Sequence, residues 1–369
     1  MSVDEAIGTL PSGAPHGPRP CAAPRSRTSR QVLRLGVSWA LALALLVIGL
    51  PAAVGISWRV VLPALGSLQW PAVLALLAVW LGGKYVHSFL LTAAAPGLSR
   101  PRAVTVNLTG SAVASVMPLG GAAGLEVNRR MMQSWDVDGR GFAGFAFLVN
   151  LWGIGCKLLL PALAVAGLAV AREKVGTPLQ AAAYSTGITF AVLAAAATML
   201  LASSAGAWGL GSVLDRGAAR CCRLAGRPYE PHLASALSGV RRDCGRLVAL
   251  GWWRMSLGVI GYAAAQCLLL GLCVHLTGAG NTVPEVLAGF AVERTLTILP
   301  LTPGGLGVGD LGLVGVLLAL GGNPAGVAAA AVLYRTFTFA VEIPVGACLL
   351  GMWLLRRQAS TVSSAVIDA

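Results

Sequence analysis

Charge is scarce in this chain, and acid is the scarcest of it. Only 11% of the 369 residues are charged, with 14 Asp and Glu against 27 Lys and Arg and four His. A soluble domain carries about a quarter charged residues, so the deficit excludes an ordinary soluble enzyme. Cysteine is absent from the places where a disulfide would form. None of Cys21, Cys156, Cys221, Cys222, Cys244, Cys267, Cys273 and Cys348 falls in a segment expected to be external, which fits reduced thiols. Cys221 and Cys222 stand beside a membrane end and are read as unremarkable thiols rather than acylation sites. No CxxC and no clustered His/Cys/Asp spacing occurs, so neither a metal nor a cofactor is expected. A polar stretch long enough for a soluble catalytic domain is also missing.

What remains is hydrocarbon. The composition is 56% hydrophobic with a mean hydropathy of +0.76. Apolar runs cover Gly36 to Ile56, Trp70 to Ala95, Phe142 to Val170, Ala181 to Ser204, Met255 to Thr277 and Ala325 to Leu355. Each is long enough to cross about 30 Å of lipid as a helix. Two further runs, Ala103 to Gly124 and Pro284 to Gly321, are broken by Pro and Gly. Residues 1–34 are rich in Pro, Gly, Ser and Arg with no apolar period and are expected to be disordered, as is a tail over 358–369. Gly36 to Ile56 lies too far from the start for a signal peptide and reads as a retained span.

The net charge of +13 is not spread like a nucleic-acid surface; no nucleic-acid partner is expected. Arg19, Arg25, Arg27, Arg30 and Arg34 precede the first run, Arg216 to Arg246 fill a basic loop within 208–254, and Arg356 and Arg357 follow the last run. The positive-inside rule places all three regions, and so both termini, in the cytoplasm of a cell-membrane protein. Parity then leaves about six full spans, with the two broken runs entering and returning on one face each; if both cross fully, the count is eight. The loop has helical spacing with arginines on one side, as an interfacial helix has; a plain topology signal accounts for it slightly better.

A Pro/Gly signature occurs twice. MPLGGAAGLE runs from Met117 to Glu126 and LPLTPGGLGVGD from Leu299 to Asp310, and in both an acid stands six residues after the first Gly of the pair. Pro101 precedes Pro118 by 17 residues as Pro284 precedes Pro300 by 16, and Glu126 precedes Pro161 by 35 as Asp310 precedes Pro344 by 34. We read two units, about 70–170 and 254–355. The parity count starts them on opposite faces, so they are inverted repeats, a common plan for transporters with broken helices around a central site.

Ionisable residues at membrane depth cost a few kcal/mol each and need a partner or a use. In the second unit these are Glu293, Arg294, Asp310, Arg335 and Glu342; in the first, Glu126, Arg129, Arg130 and Lys157, with Asn107 and Asn150 beside them. Arg335 and Glu342 stand seven apart, two turns along one face of an α-helix, and with Arg294 are expected to form one polar cluster. Gly120, Gly121, Gly304 and Gly305 open backbone N–H groups at the start of a half-helix to an anion such as phosphate. The alternative readings are ion pairs that only lock helices together and glycines that only permit close packing.

LPLTPGGLGVGD, with Arg294 before it and LYRTFTFAVEIPVG from Leu333 to Gly346 after it, resembles the lysylphosphatidylglycerol synthase transmembrane-region family; MPLGGAAGLEVNRR looks like its upstream motif. The resemblance covers about Gly36 to Leu355, without the soluble aminoacyl-transferase domain of the members that make the lipid. Where the family usually has Glu after PGGLG, this chain has Asp310. It implies an all-α membrane protein that moves an anionic phospholipid or lipid-linked intermediate across the bilayer, with membrane lipids and a lipid-synthesising enzyme as partners. Arg294 and Arg335 would hold the phosphate, and Glu342, Glu126 and Asp310 would balance charge. A membrane-embedded transferase acting on lipid, and a non-transporting partner of one, are the rivals.

Overall fold

The computed structural model describes residues 63, 66, 68–117, 120–171, 177–202, 204–224, 233–298 and 307–367. The expected disordered residues 1–34, the expected span Gly36 to Ile56, and residues 118–119 and 299–306 of the signatures lie outside that set. All regular structure among the described residues is helical. In order, the helices are α1 (Trp70–Ala94), α2 (Arg100–Val116), α3 (Gly120–Gln133), α4 (Gly139–Val170), α5 (Thr177–Ala202), α6 (Ser204–Leu224), α7 (Leu233–Leu276), α8 (Val283–Leu296), α9 (Val308–Ala319) and α10 (Pro324–Arg335); a wide π segment (Thr336–Val341) then leads into α11 (Glu342–Ile367).

Among the described residues four helical stretches are long and apolar enough to cross a membrane: Trp70–Ala94, Gly139–Val170, Cys244–Leu276 and Pro324–Arg357. Both broken runs are helix pairs, α2–α3 and α8–α9, as the Pro/Gly signatures require. The order long helix, helix pair, long helix therefore occurs twice. Helix starts are fixed by side chains: Asp138 accepts from the Gly141 N–H at 2.8 Å before α4, Glu285 from the Thr282 N–H at 2.9 Å before α8, and Asn323 from the Gly326 N–H at 3.1 Å before α10.

One expectation changes. The basic insert over 208–254 is helical wherever it is described, and its second half belongs to α7. No proline interrupts residues 233–276, so the interfacial helix and the span fuse. At 1.5 Å per residue the 44 residues of α7 extend roughly 66 Å, about twice the hydrocarbon layer, and the end carrying Arg241, Arg242 and Arg246 projects beyond it. At the C-terminus α11 runs to Ile367. Neither Gly nor Pro follows Gly351 to stop it.

Helices α1 and α7 form the central seam. Gly83 faces Ala265, Gly261 faces Val86, Gly258 lies against the Leu90 backbone and Gly251 faces Ala93. Numbers rise on one helix as they fall on the other, so the two run antiparallel. Glycines let the backbones approach, as small residues do between membrane helices. Around the seam the packing is reciprocal: α2 leans on α11 while α8 leans on α4.

The long helices cross two hydrophobic cores. One gathers Leu76 and Trp80 of α1, Leu160 to Leu168 of α4, Leu269 to Val274 of α7 and the inner faces of α8, α9 and α10. The other gathers Leu90 to Ala94 of α1, Val106 of α2, Phe142 to Leu148 of α4, and Met255 and Val259 of α7. Between the cores the same helices carry Lys84, His87, Lys157, Tyr262 and Gln266. The result is a polar waist, and the end of α8 and the start of α9 reach it.

Candidate functional site

The waist is built around the end of α8 and the start of α9. Gly307, at φ 88, turns the chain into α9, a conformation that glycine adopts without strain. Three residues on, Asp310 accepts from the Gly307 N–H at 3.0 Å with one oxygen and from Arg335 Nε with the other. Arg335 Nη2 also donates to Glu293 Oε1 at 3.0 Å, and its guanidinium lies over the Phe339 ring at 5.2 Å. These three charged side chains are almost sealed, at 6% exposure or less.

Arg294 sits at the looser side. Its Nε lies 2.7 Å from Glu293 Oε2, close enough for an ion pair but at an angle too poor for a hydrogen bond. Nη2 donates to the Tyr334 hydroxyl, and the guanidinium packs over Phe290. Its side chain is 19% exposed.

Glu342 does not join Arg335. It pairs instead with Lys84 of α1 at 2.6 Å, and Lys84 also donates to the Tyr262 hydroxyl at 3.4 Å, which Gln266 meets at 2.8 Å. The π segment between Arg335 and Glu342 is the reason. An i→i+5 turn takes more residues than the 3.6 of an α-turn, so the face carried by Arg335 is not the face carried by Glu342. Tyr262, within Coulombic range of Arg294 and Tyr334, links the two parts of the waist.

Lys157 reaches in from α4, donating to Thr297 Oγ1 at 3.1 Å, while Thr297 donates to the Arg294 carbonyl at 2.7 Å. No carboxylate among the described residues pairs with Lys157. The waist thus holds the cations Lys84, Lys157, Arg294 and Arg335 against Glu293, Asp310 and Glu342. The acids are deep and paired; the less buried edge is cationic.

The first unit's charges lie elsewhere. Glu126 is held by Arg129 through two contacts of 2.7 Å and by Arg130 at 2.8 Å, all on the outer face of α3. Gly120 and Gly121 open α3, with Gly120 against the Ala114 backbone and Gly121 free of close neighbours. Gly304 and Gly305 lie outside the described residues. Sequence reasoning passed over Lys84, although a lysine inside the apolar run Trp70 to Ala95 is itself the signal of an intramembrane ion.

Residues 31–346 match the family model described as the lysylphosphatidylglycerol synthase TM region. The chain belongs to that family. A comparison with curated proteins returns no match. The membership makes this a membrane protein related to lipid metabolism, and the waist is where its intramembrane charges converge.

Proposed function

We propose that the protein translocates an anionic phospholipid or lipid-linked intermediate across the cytoplasmic membrane, with both termini in the cytoplasm and with Lys157 and Arg294 engaging the phosphate. The observation that carries this reading is Lys157, with no carboxylate at ion-pair distance among the described residues, beside Arg294 at the less buried edge of an otherwise compensated network. A cation left without a carboxylate at membrane depth is costly unless an anion visits it. Guanidinium binds phosphate oxygens in a fork, and an ammonium adds a point charge. Arg335, held by two carboxylates, anchors α10 to the α8–α9 pair. Its place in the headgroup path is behind Arg294 rather than against the lipid.

Inverted repeats support an alternating-access mode. The antiparallel seam of α1 and α7, the doubled element order and the reciprocal packing of α2 on α11 and α8 on α4 all fit two units exchanged by a two-fold axis in the membrane plane. In that scheme the α2–α3 pair enters from the cytoplasm and the α8–α9 pair from outside. On a cysteine-free background, a cysteine at Gly280 is expected to label from outside and one at Ser235 only from inside. The same face for both would overturn the inversion.

The functional test is headgroup translocation by purified protein in anionic vesicles. Lys157→Gln is expected to lower the rate about ten-fold or more, the scale of one charge-assisted hydrogen bond, with expression and monodispersity unchanged. Undiminished transport would remove Lys157 from the path. Covalent change of the lipid in place of movement would favour the transferase reading.

A further inference from the structure

The α2–α3 pair carries a second polar feature that the charged waist does not use. Between α1, α2, α3 and α4 lies a cavity of about 250 Å³. Its polar lining is His87, Asn107, Ser111, Asn128 and Asn150, over an apolar floor that includes Phe145 and Val149. None of the lining residues is acidic, and none is Lys or Arg. Glu126, the nearest acid in sequence to Asn128, spends its carboxylate on Arg129 and Arg130 outside the cavity.

Resting on the translocation reading, we infer that this cavity receives the uncharged, hydroxyl-bearing end of the lipid headgroup, a glycerol or sugar moiety, and rejects an aminoacyl cation. Amide and hydroxyl side chains each donate and accept, which is the hydrogen-bonding habit of a polyol. An ammonium entering the same space finds no counter-ion, and a buried unpaired charge is expensive. A bare phosphate finds no cation. Asn128 Oδ1, pressed against Gly110, is buried without a hydrogen-bond partner in the structure, an uncompensated acceptor that a turn of the amide would bring to a ligand hydroxyl. Asn107 is already tied to His87, and the His87 ring stacks at 4.6 Å on Tyr262 of the waist. The cavity therefore adjoins the waist, as a polyol adjoins a lipid phosphate. The size agrees as well: the space is below the range of drug-sized pockets, about 300–1,000 Å³, and takes a headgroup but not acyl chains. For the chains, the apolar face of α4 at Phe147, Leu151 and Ile154 lies alongside and shares Ala146 and Asn150 with the cavity lining.

Lipid retention tests the assignment without requiring transport. The full-length protein, delipidated in detergent, is exposed in parallel to phosphatidylglycerol, phosphatidylinositol, phosphatidic acid and lysyl-phosphatidylglycerol, and bound lipid is counted by native mass spectrometry. Phosphatidylglycerol or phosphatidylinositol is expected to be retained several-fold over the other two, and the better of the pair tells glycerol from sugar. Asn128→Leu should erase the preference. Asn128→Asp, nearly the same shape, should raise lysyl-phosphatidylglycerol retention by about ten-fold, one hydrogen bond's worth of discrimination. Should Asn128→Leu fail to fold, Ser111→Ala and Asn128→Asp still decide. Equal retention of all four lipids by the unaltered protein, a preference for lysyl-phosphatidylglycerol, or no response to Asn128→Asp would overturn the inference. Retention with the expected preference but no headgroup movement in vesicles would instead remove the translocation reading and leave the cavity's ligand class standing.

Discussion

The two helix pairs start from the same motif and end in opposite chemistry. In α8–α9 the acid after the Gly pair, Asp310, turns inward, caps its own helix and holds Arg335. In α2–α3 the corresponding acid, Glu126, turns outward to Arg129 and Arg130, and the interior is left to amides around a cavity. A shared sequence pattern fixed where the chain breaks, not what the break is used for. One pair is a closed ionic clamp; the other is an open neutral receptacle.

The sharpest way to break this comparison is to unbalance the clamp. Arg335→Gln leaves Asp310 and Glu293 buried without their cation, and a loss of about 3–5 kcal/mol is expected, read as a fall in melting temperature of the purified protein. Adding Glu293→Gln should recover part of it. Adding Glu342→Gln should recover none and should cost more, because it strands Lys84. Rescue by Glu342→Gln would return Arg335 and Glu342 to one face and remove the role of the π segment.

A smaller effect is expected in the receptacle. Gly124 packs its Cα against the Gly110 carbonyl, with room for no side chain there. Gly124→Ala forces α2 and α3 apart, at about 1–3 kcal/mol by the usual cost of overpacking, and should loosen the cavity's lipid retention in step. Unchanged stability would show that the pair is not closely docked at that point. The smallest effect belongs to Glu126. It is about 41% exposed, and exposed ion pairs contribute little, so Glu126→Gln should leave the melting temperature unmoved. A large loss would make the first pair's acid a structural equal of Asp310 and erase the contrast.

Much of this was legible in the sequence. Apolar length gave the four stretches able to cross a membrane, and Pro and Gly marked both breaks; Glu293, Arg294, Asp310 and Arg335 stood out as ions in lipid. Of these only Arg294 and Arg335 were expected together, in a cluster with Glu342; the hold of Asp310 and Glu293 on Arg335 came from the fold, and so did the true partner of Glu342. Lys84 lies 258 positions away, and a regular helix pitch carried through residues 336–341 put Glu342 on the wrong face. The meeting of Lys157 with Thr297 spans 140 positions, a contact that periodicity within one helix cannot supply. The amide cavity was visible only in part, as Asn107 and Asn150, because neutral side chains carry no alarm in an apolar run. His87 and Asn128 joined them through the fold.

The seam of α1 and α7 has a mechanical consequence. Each helix is shared by both cores, and the glycine contact of Gly83 with Ala265 falls between them. Two antiparallel rods in contact from Gly83 against Ala265 to Gly251 against Ala93, with a core toward either end, form one hinged pair. In the translocation proposed above, a tilt that widens the gap at one end would narrow it at the other, so that access from the two faces of the bilayer would be traded rather than granted together.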